Sequence, residues 1–190
     1  AMATPAEVGA LVGNGDARWD LARINELNEI LGFYSLAHWY AWQVSVLGLG
    51  PVWLSGNDAA RIQVAKLLDE GNIFGFGLSE REHGADIYSS DMILRRTADG
   101  FIANGGKWYI GNGNAAGRLS VYGKFADDDP EHPGEHVFFL VDPSHPGYEL
   151  LKNVVAGQMF VAAFELHDYP VAPEDILHVG KAAFDAALAT

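Results

Sequence analysis

The hydrophobic pattern of the chain changes its period once, near Gly71, and this change limits the folds that are open to it. Before Gly71, apolar residues recur at the three- and four-residue spacing of amphipathic helices. After it, short runs rich in β-branched and aromatic residues alternate with glycine, proline and Asp-Gly turn signals. The pattern predicts an α+β chain in which N-terminal helices precede an antiparallel, barrel-like middle sheet.

Two helices are predicted from clear start signals. The first opens at Trp19 and places these apolar residues on one face: Leu21, Ile24, Leu27, Ile30 and Leu31. Another begins after Asn57 or Asp58, either of which is a good N-cap, and ends at Gly71.

A further helix is predicted from about Tyr34 to Leu47, and it is apolar nearly all round, which indicates a central position. It lies in a stretch without Asp, Glu, Lys or Arg, 33–57, that is long enough to span a bilayer. The run Gly48–Pro51 is expected to break the helix well short of a full span. A buried helix followed by a turn is therefore predicted, and no membrane span.

The second part of the chain is predicted to form strands. In chain order they are Ile73–Leu78, Met92–Thr97, Phe101–Ile110, Leu119–Phe125, His136–Val141, Tyr148–Leu151 and Gln158–His167. Asp99-Gly100 marks a hairpin turn, and the acidic segment Ala126–Glu135 reads as a solvated connection. Pro170 and Pro173 are expected to end the strand region, and a helix that is cut short to begin at Gly180. That helix suggests that the chain is a fragment.

Composition excludes several classes of function. The formal net charge of −13 argues against nucleic-acid binding, which needs a basic face. The chain has no cysteine, so disulfides, thiolate metal sites and cysteine nucleophiles are impossible. The first residues carry no basic segment before an apolar run, so a secretory signal is not expected. The protein is therefore expected to be soluble and cytoplasmic.

The stretch 75–86, GFGLSEREHGAD, concentrates ionisable side chains. A metal site at Glu82, His83 and Asp86 is disfavoured because Gly84 interrupts any helical ligand spacing, so a polar loop is preferred and no metal is expected. A Ser-His-Asp triad built from Ser79, His83 and Asp86 is rejected because the second glycine of the nucleophile elbow is missing.

A phosphate loop at Asn104–Trp108 also fails, because Trp108 stands where a hydroxyl side chain would bind magnesium. An alternative is that 75–80 and 107–113 act through backbone groups and aromatic faces, which would suit a planar, partly apolar cofactor such as a flavin. The competing interpretation, that Trp108 and Tyr109 are ordinary strand aromatics of the core, is favoured by composition alone.

Two ordered motifs resemble those of the acyl-CoA dehydrogenase family. Leu78–Asp86, LSEREHGAD, is similar to a pattern of the Thr-Glu-Pro-x-x-Gly-Ser-Asp type, and Lys107–Gly113, KWYIGNG, to one of the Lys-x-Trp-Ile-Thr-Asn-Gly type. The segments Leu54–Asp58 and Phe164–Val171 also resemble family segments, and the likeness extends from about Gly32 to Gly180. It implies an incomplete helical front domain at 1–71, a middle β-domain at 72–175 and the start of a rear helical domain at 176–190.

The resemblance implies FAD as cofactor and assigns residues to it. The implied FAD contacts are Phe76, Leu78 and Ser79 at the ring edge, Gly84 near the pyrophosphate, Tyr109 on the flank, the Ile110 backbone and Gly111, and the implied acyl-CoA contact is Ala85. The implied reaction is α,β-desaturation of an acyl-CoA thioester, as in fatty-acid β-oxidation, with electron-transfer flavoprotein or oxygen as acceptor. The family's catalytic glutamate would lie beyond Thr190, so no residue of this chain is expected to be catalytic.

Further expectations follow from the resemblance. The intact protein would be a homo-oligomer, and this chain alone would bind flavin weakly and catalyse nothing. Within the first motif, Glu80 is expected to fix the loop, and Glu82 and His83 to be solvated.

Three departures from the family pattern bear on function. Gly111 replaces the threonine whose hydroxyl bonds the flavin, Ala85 replaces a serine, and Arg81 replaces a proline, which is expected to loosen the loop. Gly111 and the pair His83-Gly84 are more like acyl-CoA oxidases, so a dehydrogenase is the first interpretation, an oxidase the second, and a non-catalytic dehydrogenase-like subunit stays open. Gly111→Thr is expected to preserve or strengthen flavin binding.

Overall fold

The computed structural model describes residues 2–155 and 160–190. Its helices are α1 (Ala6–Leu11), α2 (Leu21–Tyr34), α3 (Leu36–Leu54), α4 (Asp58–Asp69) and α5 (Lys181–Ala189). Its strands are β1 (Phe74–Gly77), β2 (Ile93–Arg96), β3 (Phe101–Gly111), β4 (Arg118–Phe125), β5 (His136–Val141), β6 (Tyr148–Asn153), β7 (Val161–Val171) and β8 (Ile176–Val179). The first residues of the strand predicted over Gln158–His167 lie outside the described residues.

The described strands form a single sheet with the order β6-β7-β3-β2-β4-β5-β8, and β1 pairs with β4. The pairing is antiparallel except along β4, where β1 and β2 both run parallel to it, β1 against Arg118–Val121 and β2 against Lys124 and Phe125. The predicted α+β class, with helices before a sheet that is mostly antiparallel, is therefore confirmed.

The sheet separates two apolar cores. One face of it, together with α1, α3, α4 and α5, encloses a cluster that includes Leu49, Val64, Phe74 and Phe138. The other face curls around a second cluster that includes Leu94, Leu119, Phe139 and Phe164. Along β1 the side chains alternate between the two, so Phe74 and Phe76 contact the helix-side core while Gly75 and Gly77 face Leu119 and Val121.

Helix α3 continues through Pro51 to Leu54, so the expected break at Gly48–Pro51 is wrong. Tertiary packing explains the difference, because this last part of the helix is buried against the sheet. Ser120 Oγ donates to the Gly48 carbonyl at 2.6 Å, and His178 Nε2 lies 2.7 Å from the Pro51 carbonyl oxygen. Among the helices that the structure describes, none is long and apolar enough to cross a membrane.

The helix predictions from start signals hold in position but not always in burial. Asn57 caps α4 by accepting from Ala60 N at 3.1 Å, as predicted. The predicted apolar face of α2 is largely uncovered, because Ile24 is its one buried residue while Leu21 and Ile30 are exposed. Sequence reasoning missed α1, which is only six residues long.

The strand region extends past both prolines that were expected to end it. Pro170 lies inside β7, which pairs with β6 only as far as Leu166. Beyond that point no other strand that the structure describes pairs with this side of β7, so a missing N–H there breaks no ladder hydrogen bond. After Pro173, β8 pairs antiparallel with β5, so the residues 176–179 complete the sheet.

The acidic connection Ala126–Glu135 is not simply solvated, because Asp129 is buried. Its Oδ2 lies 3.1 Å from Arg96 Nε, and its Oδ1 accepts from His132 N at 2.8 Å and Glu131 N at 3.0 Å. The hydrogen bond from Arg96 lowers the pKa of Asp129 to about 2, and the backbone donors add to the effect. This carboxylate anchors the loop to β2.

Asp129→Asn is expected to lower the free energy of unfolding at pH 6, with the loss shrinking as the pH falls toward 2. A carboxylate whose pKa is lower in the folded state stabilises above its unfolded pKa, 3.8, and that contribution is lost as the pH falls through about 2. Urea denaturation at pH 6, 4 and 2.5 measures the difference. The matched control is Asp128→Asn, since Asp128 pairs with Arg95 at 3.2 Å on the exposed surface. Equal losses for the two variants at pH 6 would contradict the anchoring role.

Candidate functional site

The two motif stretches lie side by side in the structure. Residues 78–80, which follow β1, run along β3, and Trp108 N donates to the Ser79 carbonyl at 3.0 Å. Ser79 Oγ donates in turn to the Trp108 carbonyl at 2.7 Å. Segments that are 29 positions apart in the sequence thus form one continuous surface.

A buried ion pair fastens these segments together. Lys107 Nζ lies 2.6 Å from Glu80 Oε1, and the side chains of the two residues are 0% and 4% exposed. The same ammonium donates to the Leu78 carbonyl at 3.0 Å. Glu80 also accepts from Ser90 Oγ at 2.6 Å and from Asp91 N at 2.7 Å, so it closes the neck of the loop 81–89. The prediction that Glu80 fixes the loop is confirmed.

The protonation of the pair follows from its surroundings. Burial lowers the pKa of Lys107 to about 8, although the charge of Glu80 opposes this shift. For Glu80, burial favours the neutral acid, but the charge of Lys107 and three hydrogen bonds outweigh it, and its pKa is lowered. Both groups are therefore charged at pH 7. Because Lys107 is enclosed, it is not available to a phosphate, which agrees with the rejected phosphate loop.

Tyr109 is turned outward by an irregularity in β3. Its backbone has φ 60°, the left-handed region that L-residues rarely adopt, and the register with β7 shifts between Lys107 and Ile110. As a result Tyr109 is 62% exposed, while Ile110 is buried. The interpretation of Tyr109 as an ordinary core aromatic is therefore wrong.

Trp108 has a different environment from its neighbour. It is half-buried, with the guanidinium carbon of Arg81 5.3 Å and the Lys152 ammonium 4.8 Å from the ring centroid. These are cation–π distances. Arg81 therefore contacts β3 through Trp108, and the expectation that it loosens the loop relative to a proline stays a prediction.

The remaining predicted contacts surround this surface. Phe76 and Leu78 are half-buried beside the helix-side core, with the Phe76 ring stacked on Phe138 at 5.8 Å. Ser79 is half-exposed, and Gly84 and Ala85 are exposed on the loop. All of the predicted cofactor and substrate residues except Ile110 and Gly111 therefore reach the surface with some part of the side chain or backbone.

Gly111 is enclosed by α3. A Cβ placed on it would lie 2.7 Å from Val44 Cγ2, 2.8 Å from Val44 Cγ1 and 3.0 Å from Tyr40 Oη. Distances this short require Val44 and Tyr40, or the helix that carries them, to shift. The expectation that Gly111→Thr preserves or strengthens flavin binding did not include this crowding, and it stays a prediction.

Sequence reasoning missed the role of Asn112, although it is a letter of the second motif. It is fully buried with φ 60°, and its Nδ2 donates to the Ala41 carbonyl at 2.9 Å and the Phe74 carbonyl at 2.8 Å. It also lies 3.2 Å from Ser45 Oγ, which itself accepts from Phe74 N at 3.1 Å. One amide thus joins α3, β1 and β3 behind the site.

The ionisable side chains at the centre of the first motif have different environments. Glu82 is 79% exposed, as expected, but His83 is half-buried with its Nε2 3.3 Å from Asp91 Oδ2, so its predicted solvation is wrong. Glu80, His83 and Asp91 could approach one ion, yet both carboxylate oxygens of Glu80 are already bonded within the chain.

The surface fits a planar, partly apolar cofactor. Two strand ends carry an exposed aromatic ring, that of Tyr109, and incompletely buried apolar side chains, those of Phe76 and Leu78. Close to Gly111 lies the Tyr40 hydroxyl, which has no hydrogen-bond partner among the described residues. Such walls, mostly apolar with few polar groups, are typical of small-molecule sites.

Comparison with known proteins agrees with this geometry. Residues 75–167 match the family described as "Acyl-CoA dehydrogenase, middle domain". The chain is 31% identical over 109 residues to "Probable acyl-CoA dehydrogenase fadE25" of Mycobacterium leprae (strain TN), covering 56% of this chain and 27% of that protein. It is 32% identical over 107 residues to "Probable acyl-CoA dehydrogenase FadE25" of Mycobacterium tuberculosis (strain ATCC 25618 / H37Rv), covering 55% and 27%. The match therefore spans about a quarter of these relatives.

Solved structures share the fold. Butyryl-CoA dehydrogenase from Megasphaera elsdenii superposes with a TM-score of 0.80 at 23% identity, covering 99% of this chain and 50% of that one. An acyl-CoA dehydrogenase complexed with FAD from Bacillus anthracis gives 0.79 at 23%, covering 97% and 32%. At 23% identity these likenesses show that the chain shares the fold of these two proteins. Because residues 75–167 match that family description and the curated relatives are acyl-CoA dehydrogenases, the predicted resemblance to this family is confirmed.

Proposed function

We propose that this chain supplies the flavin-contacting part of an FAD-dependent acyl-CoA dehydrogenase. The observation that carries the proposal is the junction of the two motifs, in which Ser79 bonds Trp108 and Glu80 pairs with Lys107 inside the family segment. Support for FAD comes from the related fold that is described as complexed with it. FAD, when bound, would accept the hydride that leaves the β-carbon of an acyl-CoA thioester.

The residues of this chain would hold and orient the cofactor. Tyr109 would offer its exposed ring to the flank of the flavin, and Phe76 and Leu78 would line the ring edge. Because Ser79 Oγ gives its proton to the Trp108 carbonyl, this hydroxyl is left as an acceptor for an N–H of the ring. The exposed pair Gly84-Ala85 would lie near the pyrophosphate and acyl-CoA, where small side chains permit close approach.

The resemblance implied a β-domain that ends at residue 175, and the proposed division moves this boundary to residue 179. A front helical part at 1–71 packs on a β-domain that we extend to 179, because β8 pairs with β5. A rear helical part would then start with α5. The match covers about a quarter of the length of the curated relatives. We therefore propose the substrate, the catalytic glutamate and the homo-oligomeric assembly for a longer protein of this type and not for this chain alone.

An acyl-CoA oxidase is the second candidate, and Gly111 favours it, because no side-chain hydroxyl of the second motif is present at this position. Electron-transfer flavoprotein would be the acceptor in the first case and oxygen in the second. Dye reduction by acyl-CoA under air, together with a peroxide assay on the intact protein, separates them: peroxide in proportion to acyl-CoA supports the oxidase.

Binding of FAD is the direct test of the proposal. We expect added FAD to lose fluorescence on binding to the purified chain, and Tyr109→Ala to raise its Kd about 3- to 10-fold, the usual worth of a ring contact. The matched control is Tyr34→Ala, since Tyr34 is also exposed but lies at the end of α2. Absence of binding at FAD concentrations up to 1 mM would overturn the proposed function.

A further inference from the structure

Tyr40 of α3 brings a hydroxyl to the position that Gly111 leaves without one. Its Oη lies 3.0 Å from a Cβ placed on Gly111. A threonine carries its hydroxyl one bond from Cβ, so a threonine at 111 and the tyrosine at 40 would present hydroxyls to the same small region from opposite sides.

This hydroxyl is free to bond a ligand. No residue that the structure describes hydrogen-bonds Tyr40 Oη, and although the side chain is half-buried, this oxygen is not fully enclosed, so a ligand can reach it. Burial raises the pKa of Tyr40 above its usual value of 10.0, so the phenol keeps its proton at neutral pH and can donate it.

The surroundings hold this hydroxyl in place. Tyr40 precedes Ala41 and Val44 on α3, and the Ala41 carbonyl accepts from the buried Asn112 amide at 2.9 Å. Val44 is buried and would contact any side chain at 111. The helix, the glycine and the asparagine therefore fix the distance between α3 and the end of β3.

We propose that the Tyr40 hydroxyl replaces the motif's threonine as the hydrogen-bond donor to the cofactor at Gly111. The inference rests on the proposed function, since it names a positioning residue for the same flavin site. The proposal also explains why a glycine stands at 111. A side chain there would collide with the Tyr40 hydroxyl, which replaces the threonine as donor.

The first test compares Tyr40→Phe with Tyr34→Phe. Both substitutions remove a phenolic hydroxyl, the first at the proposed site and the second at the exposed end of α2. We expect Tyr40→Phe to raise the Kd for FAD about 3- to 10-fold, the effect of one hydrogen bond. The visible absorption maxima and the reduction potential of the bound flavin should also shift. Tyr34→Phe should change none of these quantities.

A rescue experiment separates a lost hydrogen bond from lost packing. The triple variant Tyr40→Phe/Val44→Ala/Gly111→Thr removes the colliding atoms and returns a hydroxyl from the β3 side. Its matched control carries Gly111→Val in place of Gly111→Thr, because valine has the shape of threonine without the hydroxyl. We expect the threonine form to recover FAD affinity and the wild-type absorption maxima, and the valine form not to.

The outcomes distinguish the two levels of the proposal. If the unmodified chain binds no FAD, the proposed function fails and this inference fails with it. If the chain binds FAD but Tyr40→Phe retains wild-type affinity, spectrum and potential, only the role of Tyr40 is overturned. If Tyr40→Phe lowers the melting temperature, the triple variants decide: equal FAD affinity and spectra for the threonine and valine forms overturn the inference.

Discussion

Lys107→Met is expected to destabilise the chain by about 3–5 kcal/mol, the usual cost of removing one member of a buried ion pair. The substitution leaves Glu80 buried beside Ser90 Oγ and Asp91 N without its counter-charge. Urea denaturation at pH 7 measures the loss. The matched control is Lys181→Met, because Lys181 pairs with Asp185 on the exposed surface and such pairs contribute little.

The partner variant and pH sharpen this result. Glu80→Gln should also destabilise strongly at pH 7, and Lys107→Met/Glu80→Gln should cost less than the sum of the single changes. The pKa of Glu80 is lowered by Lys107, so its contribution is complete above the unfolded value of 4.5 and is lost as the pH falls through the lower folded value. Additive single and double variants would contradict coupling between the two charges.

Gly48→Ala is expected to destabilise by about 1–3 kcal/mol or more, the range for overpacking a core. A Cβ on Gly48 would lie 2.6 Å from the Gly75 carbonyl oxygen and 2.9 Å from its carbon, and backbone atoms cannot turn aside. Helix α3 would have to move away from β1, and the hydrogen bonds of Asn112 and Ser45 across that interface would lengthen.

The control for this prediction is another glycine-to-alanine substitution, for which the expected change in the free energy of unfolding has the opposite sign. Gly32 lies within α2, and a Cβ there would meet only Trp39 ring atoms at 4.0 Å. Gly32→Ala should therefore stabilise the chain by up to about 1 kcal/mol, the difference in helix propensity. Thermal and urea unfolding of both variants measure the contrast. Stabilisation by both would show that α3 can shift away from β1 at little cost.

Much of the fold was predictable because it depends on local signals. Asn57 caps α4 through its own side chain, and the Asp99-Gly100 turn connects β2 to β3 as its sequence predicts. Helix α3 was not predictable in its last turn, because what carries it past Pro51 is burial against strands far along the chain. The same holds for β8, whose place depends on the free edge of β5.

The site divides in the same way. The two motifs were enough to predict the resemblance to the family and the role of Glu80, since both depend on residue types at fixed spacing. The outward turn of Tyr109 comes from a bulge in the pairing of β3 with β7, and the closure at Gly111 comes from Tyr40 and Val44 on a helix of another part of the chain. Neither leaves a signal in the motif itself.

Strand β4 pairs in parallel with β1 and then with β2 along the same edge, and this arrangement governs the segment between them. Both ends of that segment are held by one strand, and Glu80 draws them together again through Ser90 and Asp91. Folding therefore already removes much of the conformational entropy that the segment between β1 and β2 would otherwise have, so a ligand does not have to order it. Only the tip of the segment, around Gly84 and Ala85, is left to adapt. A ligand that contacts this tip therefore meets a loop whose base is already fixed.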